Sequence, residues 1–390
     1  MKKALSIVIL FLALTLVVNA QIDSSLIFPL QEKHVHSSSI VELPNGDLLV
    51  CWFKGSGERG ANDVLIEGAR LKKGEEKWSQ PFLMADTPDE PDCNPVMFLN
   101  SNGKLFLVWI VVQANRWEHS ILKVKTTTDY NDEGAPHWQW QNVILMKPGD
   151  EFAKRVEDQF GKNGRQDLAW AEYAPPYEEL LTKASKDPAK RETGWMTRTH
   201  PVILENGKML LPLYSDGFNF GLIAISEDHG ETWKCSLPIV GRGLNQPSLV
   251  VRKNGSIDAY MRDDGDEPGK IMLSHSNDQG YSWTYAKETN LPNPGASVEV
   301  IKLKSGNWLL AYNDVEDGRY SLAVALSDDE GASWKWKRHL EYKKGSSFSY
   351  PSFIQTKDEK IHITFSYATS KNRESIKHVA FDENWIREKE

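Results

Sequence analysis

Ser226-Glu227-Asp228-His229-Gly230-Glu231-Thr232-Trp233 returns as Ser276-Asn277-Asp278-Gln279-Gly280-Tyr281-Ser282-Trp283 and again as Ser327-Asp328-Asp329-Glu330-Gly331-Ala332-Ser333-Trp334. All three fit S-x-D-x-G-x-[ST]-W. Their aspartates fall about 50 residues apart, and a fixed period of that size signals a chain built from stacked copies of one small unit. The octapeptide has a local physical role. An aspartate can accept backbone N–H bonds across a tight turn while the glycine supplies positive φ without a Cβ clash. The flanking hydroxyls add bonds to the same loop, and the tryptophan ring pins it to a sheet.

A second pattern covers more of the chain. An apolar strand, a turn ending in glycine and an alternating strand recur at Ile40–Trp52 around Asn45-Gly46 and at Pro95–Trp109 around Asn102-Gly103. The pattern continues at Pro201–Tyr214 around Asn206-Gly207, Pro247–Tyr260 around Asn254-Gly255, Val298–Tyr312 around Ser305-Gly306, and Pro351–Phe365 around Asp358-Glu359. Asn-Gly between alternating apolar runs is a strong hairpin signal. Six hairpins, each followed by a further apolar strand that leads into an Asp-loop or its remnant, predict an all-β, six-bladed β-propeller with four antiparallel strands per blade.

The spacing of about 50 residues roughly doubles between the second and third hairpins. The excess is the charged stretch 149–192, helix-prone around Ala153–Phe160 and Tyr177–Lys183. It reads either as a surface excursion or as a lid at the channel mouth contributing Arg155, Arg165 or Tyr173.

The chain opens with Lys2-Lys3, an apolar run from Ala4 to Val18, and small residues ending at Ala20. That order describes a cleavable secretory signal peptide over 1–20, too short for a stable membrane span, ahead of one propeller domain over 21–390. The mature protein is therefore expected outside the cytoplasm, secreted or periplasmic, as a monomer with no membrane span. Losing Lys2 and Lys3 deepens the net charge of −8 by two units. Such a balance argues against nucleic acid as a partner, because phosphate backbones call for a basic face. Cys51, Cys93 and Cys235 are an odd number at unrelated spacings and are expected to be small buried thiols, not a disulfide framework. Ten histidines without a zinc-type spacing give no metal site, and no cofactor is expected.

With these repeats in view the chain resembles the sialidase superfamily, and within it the broad branch of secreted BNR/Asp-box proteins. The resemblance covers essentially all of the mature sequence. It implies a glycan partner with a terminal acidic sugar, an arginine triad that grips the sugar carboxylate, a tyrosine nucleophile polarised by a glutamate, and an aspartate acid/base. Matched by position against the repeats, Arg262 and Arg319 fit two triad arginines, Tyr350 the nucleophile and Asp63 the acid/base, with Arg59 an additional pocket arginine. Two features depart from the family. The Arg-Ile-Pro motif of the first blade is replaced by His34-Val35-His36-Ser37-Ser38-Ser39, and the polarising glutamate falls at Gln246, an amide that cannot act as a base. Glu299 in the next blade is the alternative carboxylate. His36 and His200 occupy comparable positions ahead of the first and third hairpins, and Asn94 ahead of the second. Because the inner-strand starts face one end of a propeller channel, His36, Arg59, Asp63, Asn94, His200, Gln246, Arg262, Arg319 and Tyr350 are expected to form one ring.

Three activities follow from that ring. An exo-acting glycoside hydrolase would remove a terminal acidic sugar, sialic acid by default, with Asp63 as acid/base and Tyr350 as nucleophile. A uronate-directed polysaccharide lyase would use His36, His200 or Tyr350 on the proton α to an arginine-neutralised carboxylate. A silent acidic-glycan-binding propeller would account for Gln246 and the lost arginine.

Overall fold

The computed structural model describes residues 22–164, 176–265 and 268–388. The expected signal peptide, and Arg165 and Tyr173 of the insertion, lie outside them. Six antiparallel sheets follow one another along the chain, each in the order inner to outer strand. The inner strands are His34–Glu42, Asp92–Leu99, the broken pair Met196–Thr197 and Val202–Ile203, Leu244–Val251, Glu299–Lys302 and Ser347–Gln355. Both pieces of the broken strand pair with Met209–Ser215, so blade three counts five strands where the others count four. The ring closes through the first strand, Asp23–Leu26, which pairs with Arg373–Phe381 as the outermost strand of blade six. Joining the chain's start to its last blade leaves no open end between blades one and six. Among the described residues no helix is long and apolar enough to cross a membrane.

The hairpin turns share one geometry. Leu43 N donates to Asp47 O and Gly46 N to Leu43 O, each at 2.8 Å, and the equivalent pair of bonds recurs in all six blades. Glycine at positive φ closes most of these turns, and in blade six Glu359 takes the position at φ 69°. The strands bury apolar faces between blades, with Trp52, Trp109 and Trp308 essentially inaccessible. Cys51 and Cys93 are buried free thiols as expected, while Cys235 is half-buried beside Met146.

The octapeptides sit between the third and fourth strands of blades three, four and five. In blade four Asp278 Oδ1 accepts from Ser282 N at 2.9 Å and from Ser276 Oγ at 2.8 Å, and Ser276 Oγ accepts from Gly280 N at 2.9 Å. The same bonds recur around Asp228 and Asp329. Because strands alternate in direction, these loops lie at the opposite end of the blades from the starts of the inner strands. They hold the scaffold and stand away from the channel mouth.

The described parts of the stretch 149–192 pack against the propeller, and Arg155 does not stand at the channel mouth. Helix α1 (Asp150–Asn163) places Phe152, Val156 and Phe160 at i, i+4 and i+8, an apolar stripe. Phe152 and Phe160 pack edge-on or tilted against Phe218, Phe220 and Tyr285 along the rim of blade three, whose outer strand is only Lys234–Cys235. Arg155 donates to the Trp283 carbonyl in the octapeptide of blade four, at the end remote from the mouth.

Candidate active site

Four inner strands begin with a β-bulge. Register shifts fall between His36 and Ser39, Cys93 and Val96, Asn245 and Ser248, and Ser349 and Ser352. Within them Ser37, Asn94, Gln246 and Tyr350 adopt φ between 49° and 58°. Proline follows three of the four, and having no N–H it leaves no ladder donor unpaired at the bulge. A left-handed non-glycine residue costs about 1–3 kcal/mol and persists only where its surroundings over-determine it. Here the strain turns side chains at the bulges of blades one, two, four and six toward one point at the channel mouth.

That point is a concave pocket of about 500 Å³ whose wall includes His36, Asn94, Gln246, Arg262, Arg319 and Tyr350. Six of the nine residues expected in one ring are therefore together. The Tyr350 hydroxyl accepts from Gln246 Nε2 at 3.0 Å and from Arg262 Nη1 at 3.2 Å. Its ring lies 4.0 Å from that of His36, and the guanidiniums of Arg198 and Arg319 sit 4.6 and 5.6 Å from its centroid. Asn94 Nδ2 donates to the Tyr214 hydroxyl at 3.0 Å, which fixes the neighbouring wall.

The other three expected residues take different places. Asp63 does not line the pocket: its carboxylate accepts from Ser56 N and Oγ at 2.8 and 2.7 Å and from Lys33 Nζ at 3.0 Å. The Ser56 hydroxyl and amide bonds, with Lys33, hold it down to a pKa of about 2, so it ties a loop and has no proton to give near neutrality. His200 lies deeper in the channel, its Nδ1 2.8 Å from Glu299 Oε1 and its Nε2 2.9 Å from the Ile40 carbonyl. Glu299 is consumed there too, accepting from His200 N and Phe353 N, and does not reach Tyr350 as a polarising carboxylate. Arg59 stands at the rim, stacked 5.5 Å from the Trp117 ring.

Sequence reading missed Arg198, Glu58, Trp117, Tyr214, Asp216, Asn219, Asn245 and Asp264. Arg198 comes from the break in the blade-three inner strand. It is fully buried, gives one bond to the Pro351 carbonyl at 2.8 Å, and leaves Nε and Nη1 without a partner. With Arg262 and Arg319 it makes three guanidiniums around one tyrosine, the third drawn from blade three in place of blade one. Asp216, Asn219 and Asp264 follow the second strands of blades three and four. Those loops share an end of the propeller with the inner-strand starts, and that topological rule was the usable signal.

The titratable groups have separate states. Burial, followed by the charges of His34, Arg319, Arg198 and Arg262, pushes His36 well below the usual histidine range and keeps it neutral. Burial acts the same way on His34, but hydrogen bonds to Glu374 and Glu58 outweigh it and raise that ring to about 9. Desolvation in the cleft, then the like charge of Asp264, raises Asp216 to about 6. Asp216 opens onto the cleft, so water tempers this rise, yet Asp264 drives it in the same direction. Arg262 stays cationic, bonded to Asp264 Oδ1 through Nε at 2.7 Å and Nη2 at 2.5 Å. Among the described residues the one cluster with metal-ligand atoms in reach of each other, Asp129, Asp132 and His137, is exposed and contributes nothing to this wall.

A family model described as a BNR repeat-like domain matches residues 46–156 and 188–363. No curated protein sequence matches the chain. Among solved structures, a protein of unknown function from Dyadobacter fermentans is 13% identical with a TM-score of 0.67, over 93% of this chain and 99% of that one. The intramolecular trans-sialidase from Ruminococcus gnavus is 12% identical with a TM-score of 0.65, over 92% and 96%. The NanB sialidase from Streptococcus pneumoniae is 12% identical with a TM-score of 0.65, over 93% and 71%. At these identities the likeness is one of fold, a sialidase-like propeller.

Proposed function

The chain belongs to the family of BNR repeat-like domains, and on that premise we propose that it is a glycoside hydrolase that removes a terminal acidic sugar from a glycan. The observation that carries this reading is the convergence of three guanidiniums on Tyr350, with Arg262 and Arg319 in the pocket wall and Arg198 buried against the tyrosine ring. Guanidinium forks suit a sugar carboxylate, and two N–H donors on the phenolic oxygen stabilise negative charge there as it attacks. In the proposed reaction the Tyr350 oxygen bonds to the anomeric carbon as the bond to the leaving oxygen breaks. Asp216 gives its proton to that oxygen. Water then cleaves the tyrosyl–sugar bond, and the Asp216 carboxylate takes up the water proton.

His36 is the neutral group beside Tyr350 that would receive the phenolic proton and return it to the phenolate when water cleaves the tyrosyl–sugar bond. A substrate carboxylate resting on the arginines would offset part of the positive charge that now suppresses protonation of His36. The base would thus gain proton affinity when substrate binds.

A lyase reading draws on the same neutral His36. It would take the proton α to a uronate carboxylate, and no carboxylate base would be needed where Gln246 stands. The discriminating experiment offers aryl glycosides of sialic acid and uronic acids, and uronate-ended oligosaccharides, to the wild type and to Tyr350→Phe. Hydrolysis predicts new reducing ends without ultraviolet absorbance of an unsaturated uronate, and loss of turnover in the variant. An unsaturated product would select the lyase, and binding without any product would select a silent glycan receptor.

A further inference from the structure

A second cavity, of about 620 Å³, adjoins the first, and Asp216 lines both. Beside Ser215, Asp216, Gly217 and Phe218 of blade three, two of its walls come from segments that the sequence keeps far apart. Arg116 and Glu118 belong to the loop after the second strand of blade two, next to Trp117, which faces the first pocket. Ala189 and Lys190 belong to the end of the 149–192 insertion, on the short helix Pro188–Arg191, and Thr193 directly follows the insertion. The two walls are fixed to each other. Gly194 N donates to Ser120 O at 3.2 Å, and at φ 77° a Cβ on Gly194 would stand 2.7 Å from the Glu118 carbonyl. Only glycine lets the insertion return so close to that loop. Gly217 follows Asp216 in the second cavity's wall, with Glu118 Cβ and Ser215 Oγ at 3.6 and 3.5 Å from where its own Cβ would be.

From this continuity we propose that the second cavity is the leaving-group subsite, and that the substrate is an oligosaccharide whose neutral sugar units beyond the scissile bond lie against the insertion. The inference rests on the glycosidase reading. A proton donor for the leaving oxygen must sit between the sugar that is cut off and the rest of the chain, and Asp216 is the residue at that border. The volume falls in the range of about 300–1,000 Å³ typical of sites for ligands of this size. Charges in the cavity are of mixed sign. Arg116 is bonded to Glu118 at 2.7 Å, Asp187 caps the short helix through Ala189 N, and Lys190 is left to donate to hydroxyls. Mixed donors and acceptors without an arginine cluster suit hydroxyl-rich neutral rings better than a second acidic sugar.

The test compares two substrates with the same terminal acidic sugar, an aryl glycoside and an oligosaccharide with two neutral sugars beyond the bond. Lys190→Ala removes a donor, and Ala189→Trp fills the cavity from its exposed edge. Each is expected to lower kcat/KM on the oligosaccharide by about tenfold or more and to leave the aryl glycoside within about twofold. Equal losses on both substrates, or no loss on either, would overturn the subsite. If Ala189→Trp does not fold, Lys190→Ala carries the comparison alone. A wild type inert toward both substrates is a different failure, because it removes the glycosidase reading and the subsite falls with it.

Discussion

Asp216 is the residue on which the proposed chemistry depends most, and its raised proton affinity can be worked from the geometry. Asn245 Nδ2 donates to Asp216 Oδ1 at 3.4 Å and to Asp264 Oδ2 at 2.7 Å, so the two carboxylates lie no more than about 6 Å apart. At that distance and an effective dielectric of about 20 two unit charges repel by about 2.8 kcal/mol, roughly two pH units for a bare pair. Arg262 is bonded to Asp264 and offsets part of this, which leaves about one unit as the share owed to Asp264. Partial withdrawal from water in the cleft adds to the rise to about 6, reduced because Asp216 itself is exposed. Activity that needs protonated Asp216 should therefore fall as pH rises through about 6, by about tenfold per unit in kcat/KM. Asp264→Asn should move that limb down by about one unit. Asp216→Asn should erase it and lower turnover of a sugar leaving group by about 10²- to 10⁴-fold, with a smaller loss for an activated aryl group that needs no proton. The assay is a pH series of initial rates on both substrates for the three proteins. A limb near pH 6 that survives Asp216→Asn would refute the assignment of the acid.

Further outcomes follow from the same geometry. Asp63→Ala should leave kcat/KM within about threefold of wild type and cost about 1–2 kcal/mol of stability, measured by denaturant unfolding, because it unties Ser56 and Lys33. Asp278→Ala should destabilise by about 2–3 kcal/mol through the lost bonds to Ser276 and Ser282, with the turnover of the folded fraction unchanged. His34 has a folded-state pKa of about 9, raised above its ordinary value of 6.5. The stabilisation it gains from Glu374 and Glu58 is therefore complete below 6.5 and is lost as pH climbs through 9. His34→Gln should flatten the decline in melting temperature over that window, and an unchanged decline would assign it to other groups.

The scaffold was legible because repetition reports it directly. Each octapeptide marks one blade, and each glycine-closed turn marks one hairpin. The same register led to Tyr350, Arg262, Arg319, Gln246, Asn94 and His36, since all begin or end strands at one end of the ring. Asp63 was misplaced because a carboxylate after the first hairpin looks the same in sequence whether it faces a pocket or closes its own loop. The two cases differ only in where Ser56 and Lys33 fall in space. His200 and Arg198 were exchanged for a related reason. They sit two residues apart on a strand that breaks between Thr197 and Val202, and without strict alternation the sequence does not say which one faces the tyrosine. The second cavity was invisible because its walls lie about 70 residues apart in the chain and meet only where Gly194 packs against Glu118.

The central claim is that Tyr350 attacks a terminal acidic sugar, and a trapping experiment reads it directly. Incubation with a fluorinated acidic-sugar donor that slows release of the covalent intermediate, followed by peptide mass spectrometry, should find the sugar on Tyr350. Tyr350→Phe should remain unlabelled. An unlabelled wild type that nevertheless releases sugar, or that forms an unsaturated uronate, would contradict the account.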